Sequence, residues 1–367
     1  MEINYNISNE NYKVILEKDP TKKLLKDLEN LKSDKQILFI YDRNVDKKLI
    51  NKYFSFLKLF GGKVHKKLVV GGKQNKNEKF LFDLLKILSK LNFSKRSVII
   101  SFGGGVVGDV SALAACLYMR GMIYFHIPTT MTAILDRCIG GKTAINFQNK
   151  INLIGTYYHP LRVYISGEIV NKIPQREYYA GFAEAIKCGI IGDKNILKIL
   201  EHKSRKLKKK NFKVFKELCT KVLKIKINFF VNDVYEKNKR LMLNFGHTFA
   251  HAIEMASASQ KNLKTINHGE AVAVGILCEM FYSKTLQSFQ KMITKLLTIY
   301  NLPNKINLPK NVDKIKFQKK VFQNLFLDKK KINQFPRYVH INNKIKPTIK
   351  ELDNLNLLDQ TILKFIE

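Results

Sequence analysis

The chain has no tryptophan, eight prolines and five cysteines, and only nine of its 65 basic residues are arginine. Cys116, Cys138, Cys188, Cys219 and Cys278 are scattered, odd in number and without a C-x-x-C pair. That excludes a disulfide framework or an all-cysteine zinc site and points to reduced thiols in a cytoplasmic protein. No run reaches 18 uninterrupted apolar residues, so no membrane-crossing helix is expected. The first residues, MEINYNISNENYK, lack the basic start and apolar core of a signal peptide. Acidic residues are scarce as well, 30 against 65 basic, for a net charge of +35. Such an excess suggests an anionic partner. The lysines are nevertheless spread from end to end among Asn, Ile and Phe, which reads as a compositional tilt and not as a binding stripe. One dense block, residues 203–213 (KSRKLKKKNFK), reads as a solvated helix face or linker. A basic nucleic-acid-binding protein is the alternative from another class. Its aromatic residues would have to alternate with the lysines as a stacking platform, and they do not. No specific nucleic-acid partner is expected.

A length of 367 residues suggests two domains. Strand and helix patterns alternate at first. Residues 35–42 (KQILFIYD) form a buried strand, 46–57 a helix, KKLVVGG a strand into a glycine turn, and 78–91 an amphipathic helix. Residues 97–102 (SVIISF) form the next strand and run straight into GGGVVGDV, with MIYFHIPTT and RVYISG as further strands. This alternation predicts an α/β fold, with a Rossmann-like parallel-sheet domain over residues 1–166. Beyond about Pro174 long helical periodicities take over, apart from a strand at PRYVHI. Residues 167–367 are therefore expected to form a mainly α-helical C-terminal domain, with the active site in the cleft between the two.

Three of the eight histidines fall within residues 243–275. His247 and His251 stand four apart on a predicted helix, which puts their Cβ atoms about 5–6 Å apart on one face, with Glu254 one turn on. His268 heads a second apolar helix after a polar loop. Two imidazoles with a carboxylate from elsewhere make a three-ligand divalent site with a position left open. Satisfied structural histidines are the competing reading, and spacing does not choose between them.

Gly103-x-Gly105-x-x-Gly108 follows a strand and opens a helix, the setting of a dinucleotide fingerprint. No acid follows some 20 residues on, and Asp42 at the end of an earlier strand is the candidate for reading the ribose. Gly140-Gly141-Lys142-Thr143 resembles the end of a P-loop, but Asp136 stands where the earlier glycine is required, which excludes nucleoside triphosphate binding there. Lys142 on a glycine turn still suits an anionic group. Glu184 and Lys187 stand three apart on an apolar helix, where charge is costly unless paired or ligating. Lys226, Asp233, Arg240 and Asn244 precede His247 at helical multiples, so the same helical face is expected to continue upstream.

In this order the segments GGGVVGD, MRG, IPTT, GGKTAIN, GFAEAIKCGII, LNFGHTFAHAIE, NHGEAVAVG and DKK resemble the 3-dehydroquinate synthases, sugar phosphate cyclases related to iron-dependent alcohol and glycerol dehydrogenases. The resemblance is strongest over about residues 100–280. It implies Zn²⁺, with Co²⁺ as a substitute, on Glu184, His247 and His268. It implies NAD on Asp42, Asn44, Lys76, Gly105, Val106, Val107, Gly108, Asp109, Thr129, Thr130 and Lys142. A phosphorylated seven-carbon keto acid would meet Arg120, Asp136, Lys142, Asn152, Lys187, Lys226, Arg240, Asn244, His251, Lys329 and Lys330. Of these Lys142, Lys187, Lys226, Arg240, Asn244 and His251 would be catalytic. The implied reaction turns 3-deoxy-D-arabino-heptulosonate 7-phosphate into 3-dehydroquinate and phosphate, a step of aromatic amino acid biosynthesis. It runs through transient oxidation, phosphate elimination, re-reduction and intramolecular aldol closure. A homodimer is also implied. The nearest rival is a cyclase acting on an amino analogue or another sugar phosphate; a simple polyol dehydrogenase fits less well, since it would have no use for so many cations. The chain departs from the family pattern at Lys73, where an acid is usual, at Ile151, where a lysine is usual, at Arg137 and Cys138, where small residues are usual, and at Val234.

Overall fold

The computed structural model describes residues 1–148, 150–260, 266–327 and 334–367. It divides into two compact units, Met1–Pro174 and Gln175–Glu367.

In the first unit the chain order is β1 (Glu2–Ile7), β2 (Glu10–Glu17), α1 (Thr21–Glu29), β3 (Gln36–Asp42), α2 (Lys47–Leu59), β4 (Lys63–Val69), α3 (Glu78–Lys90), β5 (Val98–Gly103), α4 (Gly105–Leu117) and β6 (Ile123–Pro128). A hairpin of β7 (Lys142–Phe147) and β8 (Lys150–Tyr157), then β9 (Arg162–Ser166) and α5 (Gly167–Lys172), complete it. Seven strands form one sheet in the order β1-β2-β9-β6-β5-β3-β4, parallel throughout except for β1 against β2. β3 shows why its sequence reads as a continuous apolar run. Ile37 and Phe39 pack with Leu24, Leu28 and Tyr53 of α1 and α2 on one face. Leu38 and Ile40 pack with Leu81, Leu84 and Leu88 of α3 and with α4 on the other. Asp46, placed at the first residue of a helix by its sequence, is the N-cap of α2, accepting from the N–H groups of Lys48 and Leu49.

Two features were not legible as strands. The β1–β2 hairpin adds an antiparallel edge to the sheet, and the β7–β8 hairpin grows out of the Gly140-Gly141 turn. Both glycines have φ in the left-handed region, at 89° and 68°, so only glycine fits there cheaply. α5 stays with the first unit because Lys52 bridges Asp19 and Glu168 at 2.6 Å each, so the division falls after it.

The second unit is helical as expected. It contains α6 (Gln175–Ala180), α7 (Phe182–Ile191), α8 (Asn195–His202), α9 (Ser204–Lys208), α10 (Phe212–Phe230), α11 (His247–Ala258), α12 (His268–Tyr282), α13 (Gln287–Ile299) and α14 (Lys314–Leu325). The hairpin of β10 (Arg337–Ile341) and β11 (Pro347–Glu351) and the last helix, α15 (Leu355–Phe365), follow. α7 and most of α12 are buried on every side and form the centre of the unit. α12 starts with a capping box. Asn267 accepts from Glu270 N–H at 2.9 Å, while the Glu270 carboxylate accepts from Asn267 N–H at 3.0 Å. No helix among the described residues is long and apolar enough to cross a membrane.

Candidate active site

In the second unit, Glu184 lies on α7 with no solvent exposure. Its Oε1 is 3.5 Å from Nε2 of His247, the first residue of α11, and 3.5 Å from Nε2 of His268, the first residue of α12. The potential ligand atoms of the three residues all lie within 4.8 Å of one another. Lys187, one turn on and 1% exposed, pairs with Glu184, so this is a buried ion pair and not one on a helix surface. Each histidine is aimed by its other nitrogen. Nδ1 of His247 is 3.2 Å from the Phe245 carbonyl, and Nδ1 of His268 is 3.4 Å from Oε2 of Glu254.

Burial opposes a charge on His268, but hydrogen bonds to Glu184 and Glu254 outweigh it and raise its pKa to about 9. A cluster that holds a proton so firmly is one in which a divalent cation would compete for the same electron pairs. One carboxylate and two imidazoles, converging in a buried pocket and each aimed by a second contact, fit Zn²⁺ or a close relative.

His251 does not approach as closely. It is exposed, its ring is 5.5 Å from that of His247 and 6.3 Å from that of His268, and it lines a small cavity with Asn244, His247, Arg337 and Tyr338. Asn244 donates to Glu236 Oε1 at 2.5 Å. Lys226, on α10, and Arg240 are buried. The Arg240 guanidinium donates to the Val234 carbonyl at 2.6 Å and lies over the Phe230 ring, 5.4 Å from its centroid.

The expected continuous face from Lys226 to His247 is not a single helix. α10 ends at Phe230, and the Asp233 carboxylate accepts from the N–H groups of Lys237, Asn238 and Arg240, closing a turn before a short 3₁₀ segment, Lys239–Asn244. A carboxylate that collects three backbone donors stabilises the loop more than a further helical turn would. These donors hold the Asp233 carboxyl below its usual pKa, against the effect of burial. Lys329 and Lys330 lie outside the described residues. Arg337 was missed, since its only signal was membership of a short strand far along the chain.

In the first unit, β3 and β5 are neighbours, and their chains leave toward opposite sides of the sheet. Asp42 and Gly103 therefore end adjacent strands at a topological switch point, where open α/β sheets bind ligands. The Asp42 carboxylate accepts from Asn44 N–H at 2.9 Å. Thr129 N–H donates to the Gly103 carbonyl at 3.0 Å, and a Cβ on Gly104 would lie 2.9 Å from the Thr130 methyl. Gly105 opens α4, whose second turn carries buried Asp109. Asp109 pairs with Lys76, and Lys76 also donates to Asn152 Oδ1 at 2.5 Å. Asp42, Asn44, Lys76, residues 105–109, Thr129 and Thr130 are thus all held on one edge of the sheet or joined to it, and glycines hold that edge open. This arrangement fits a dinucleotide. Lys142 begins β7 and lines a small cavity with Gly105, Gly108, Asp109 and Arg137. Asp136 sits in a π-helical turn, Ala133–Arg137. Arg120 is exposed, between the end of α4 and the start of β6, at the opposite edge of the sheet from the glycine loop.

Family models match both parts of the chain. Residues 66–180 match the one described as 3-dehydroquinate synthase N-terminal, and residues 181–331 the one described as 3-dehydroquinate synthase C-terminal. A 3-dehydroquinate synthase of Thermodesulfovibrio yellowstonii is 35% identical over 270 residues, 72% of each chain. One of Campylobacter fetus subsp. fetus is 32% identical over 343 residues, 92% of each. The fold is that of a crystal structure of 2-deoxy-scyllo-inosose synthase complexed with carbaglucose-6-phosphate, NAD⁺ and Co²⁺, with a TM-score of 0.86 over the full length of both chains at 23% identity.

Proposed function

Because the chain belongs to the 3-dehydroquinate synthase family, we propose that it converts 3-deoxy-D-arabino-heptulosonate 7-phosphate to 3-dehydroquinate and phosphate, using NAD and a divalent metal. The observation that carries this reading is the buried convergence of Glu184, His247 and His268 beside Lys187.

Glu184, His247 and His268 would hold Zn²⁺, or Co²⁺ in its place. Residues 105–109, Thr129, Thr130, Asp42, Asn44, Lys76 and Lys142 would hold NAD. Bound together, the two groups supply Lewis acidity toward a substrate hydroxyl and a reversible hydride acceptor. The remaining work falls to the chain. Lys142, Lys187, Lys226 and Arg240 provide cations for a substrate that carries both a carboxylate and a phosphate. Arginine's planar fork suits either group, and lysine acts as a point charge. Lys187 and Lys226 are buried, so their charges are little screened by solvent. Asp136, Asn152 and Asn244 are polar groups to orient ring hydroxyls, and Lys329, Lys330 and Arg120 complete the proposed substrate set. Elimination of phosphate requires a proton to leave carbon and cations to stabilise the departing dianion. His251, an exposed imidazole beside the metal-ligand cluster, is the group placed to move protons. Cofactor is regenerated within the cycle, so there is no net redox change. A homodimer belongs to the same proposal.

Purified protein loaded with Zn²⁺ and NAD should release stoichiometric phosphate and dehydroquinate from the seven-carbon phosphate. No turnover with all three saturating would sink the reading. Net NADH accumulation would instead indicate a dehydrogenase.

A further inference from the structure

Gly105 opens α4, and its missing side chain is where a nucleotide phosphate approaches such a loop. In this chain the space is shared with Arg137. A Cβ on Gly105 would lie 2.8 Å from Cδ, 3.5 Å from Nε and 3.7 Å from Nη1 of Arg137. The guanidinium is therefore laid across the first residue of the helix. It is held there by Asp109, one turn in, whose Oδ2 accepts from Nη1 at 3.1 Å and also pairs with buried Lys76. One carboxylate oxygen thus anchors two cations beside the positive end of a 13-residue helix. The aim of the side chain is set by its backbone. Arg137 closes a π-helical turn in which Cys138 N–H donates to the Ala133 carbonyl, and the buried Cys138 thiol donates to Ile134 O. The side chain is 35% exposed, so it is open to a ligand on the loop and not sealed in the core.

We infer that Arg137 is a cofactor-positioning residue whose guanidinium meets the pyrophosphate of the dinucleotide at the N-terminus of α4. A guanidinium held within about 4 Å of the loop is pre-aimed, so little of its rotamer entropy is lost on binding. The inference rests on the proposed use of NAD, and it assigns Arg137 a binding role in that site.

Titration calorimetry of the metal-loaded protein with NAD, with no substrate present, tests it without any need for turnover. Arg137→Ser should raise the Kd about tenfold or more. Its Kd should also depend less on ionic strength than the parent's, because one charge of the contact is gone. Arg137→Lys should fall between the two, keeping the charge without the planar fork, and it carries the test if the serine variant folds poorly. Equal Kd values in parent and Arg137→Ser would overturn the inference alone. Tighter binding by Arg137→Ser would also overturn it and show that the side chain obstructs the loop. A parent that binds metal but no NAD would overturn the functional proposal, and this inference with it.

Discussion

Oε2 of Glu254 lies 3.4 Å from Nδ1 of His268, and Nε2 of the same ring lies 3.5 Å from Glu184. One imidazole therefore stands between two carboxylates, one on the ligand side and one behind it. A carboxylate behind a ligating histidine fixes the tautomer and raises the basicity of the ligating nitrogen, and its loss typically costs about 10–100-fold in metal affinity. Glu254→Ala should weaken Zn²⁺ by that factor in a chelator competition titration. An unchanged affinity would show that Glu254 does not tune His268 as a ligand.

The ligands and the proton-moving histidine should differ in kind. Glu184→Ala, His247→Ala and His268→Ala each leave two protein donors, so zinc should fall below stoichiometric after dialysis. His251→Ala should keep its metal and turn over about 10²–10⁴-fold more slowly. Metal content by atomic emission, measured beside the rates, checks both. Metal lost from His251→Ala, or kept by Glu184→Ala, would show the assignment to be wrong.

The two histidine-bearing helices approach so closely that a Cβ on Gly275 of α12 would lie 2.0 Å from the Gly246 carbonyl and 3.0 Å from Ala250 N. Backbone cannot yield as a flexible side chain would. Gly275→Ala should cost about 1–3 kcal/mol of stability by overpacking. It should also weaken metal binding, since α11 and α12 carry His247 and His268. Chemical denaturation and a zinc titration of this variant should therefore both move. A stable variant with unchanged metal affinity would show that the close approach is dispensable.

In the first unit, burial lowers the pKa of His126 to about 4 against a weaker opposing hydrogen bond with Ser101, whose Oγ is 2.7 Å from Nδ1. The unfolded chain binds this proton near pH 6.5 and the folded one only near 4, so the unfolded state takes up more protons across that window. Stability contributed by neutral His126 is complete above pH 6.5 and is lost as pH falls toward 4, by about 3 kcal/mol. His126→Gln should flatten this part of the pH–stability curve, read from denaturation midpoints at pH 7 and pH 4.5. A parent curve already flat over that range would contradict the burial argument.

The local order of this protein was legible from its residues. The apolar runs at 37–40 and 98–100, bounded by polar turns and glycines, read as strands buried on both faces. Gly105 and Gly108, directly after such a strand, announced a helix that opens on a ligand, and the period of 3.6 put Glu254 on the face of His247 and His251. Strand β8 was not legible, because no buried face imposes a pattern on its sequence, and β7 offers only Thr143 and Ile145 as buried alternate positions. Long-range partners were not legible from spacing either. The local pattern put Glu254 on the histidine face but left the joining carboxylate to come from elsewhere, and only the family resemblance named Glu184. Tertiary packing gave each a place, Glu184 at Nε2 of His247 and His268 and Glu254 behind His268, because α12 packs against both α7 and α11 and brings their charged groups to its first residue. Spacing along a helix fixes which residues share a face. Which face it meets is fixed by where the apolar surfaces of distant segments can be buried together.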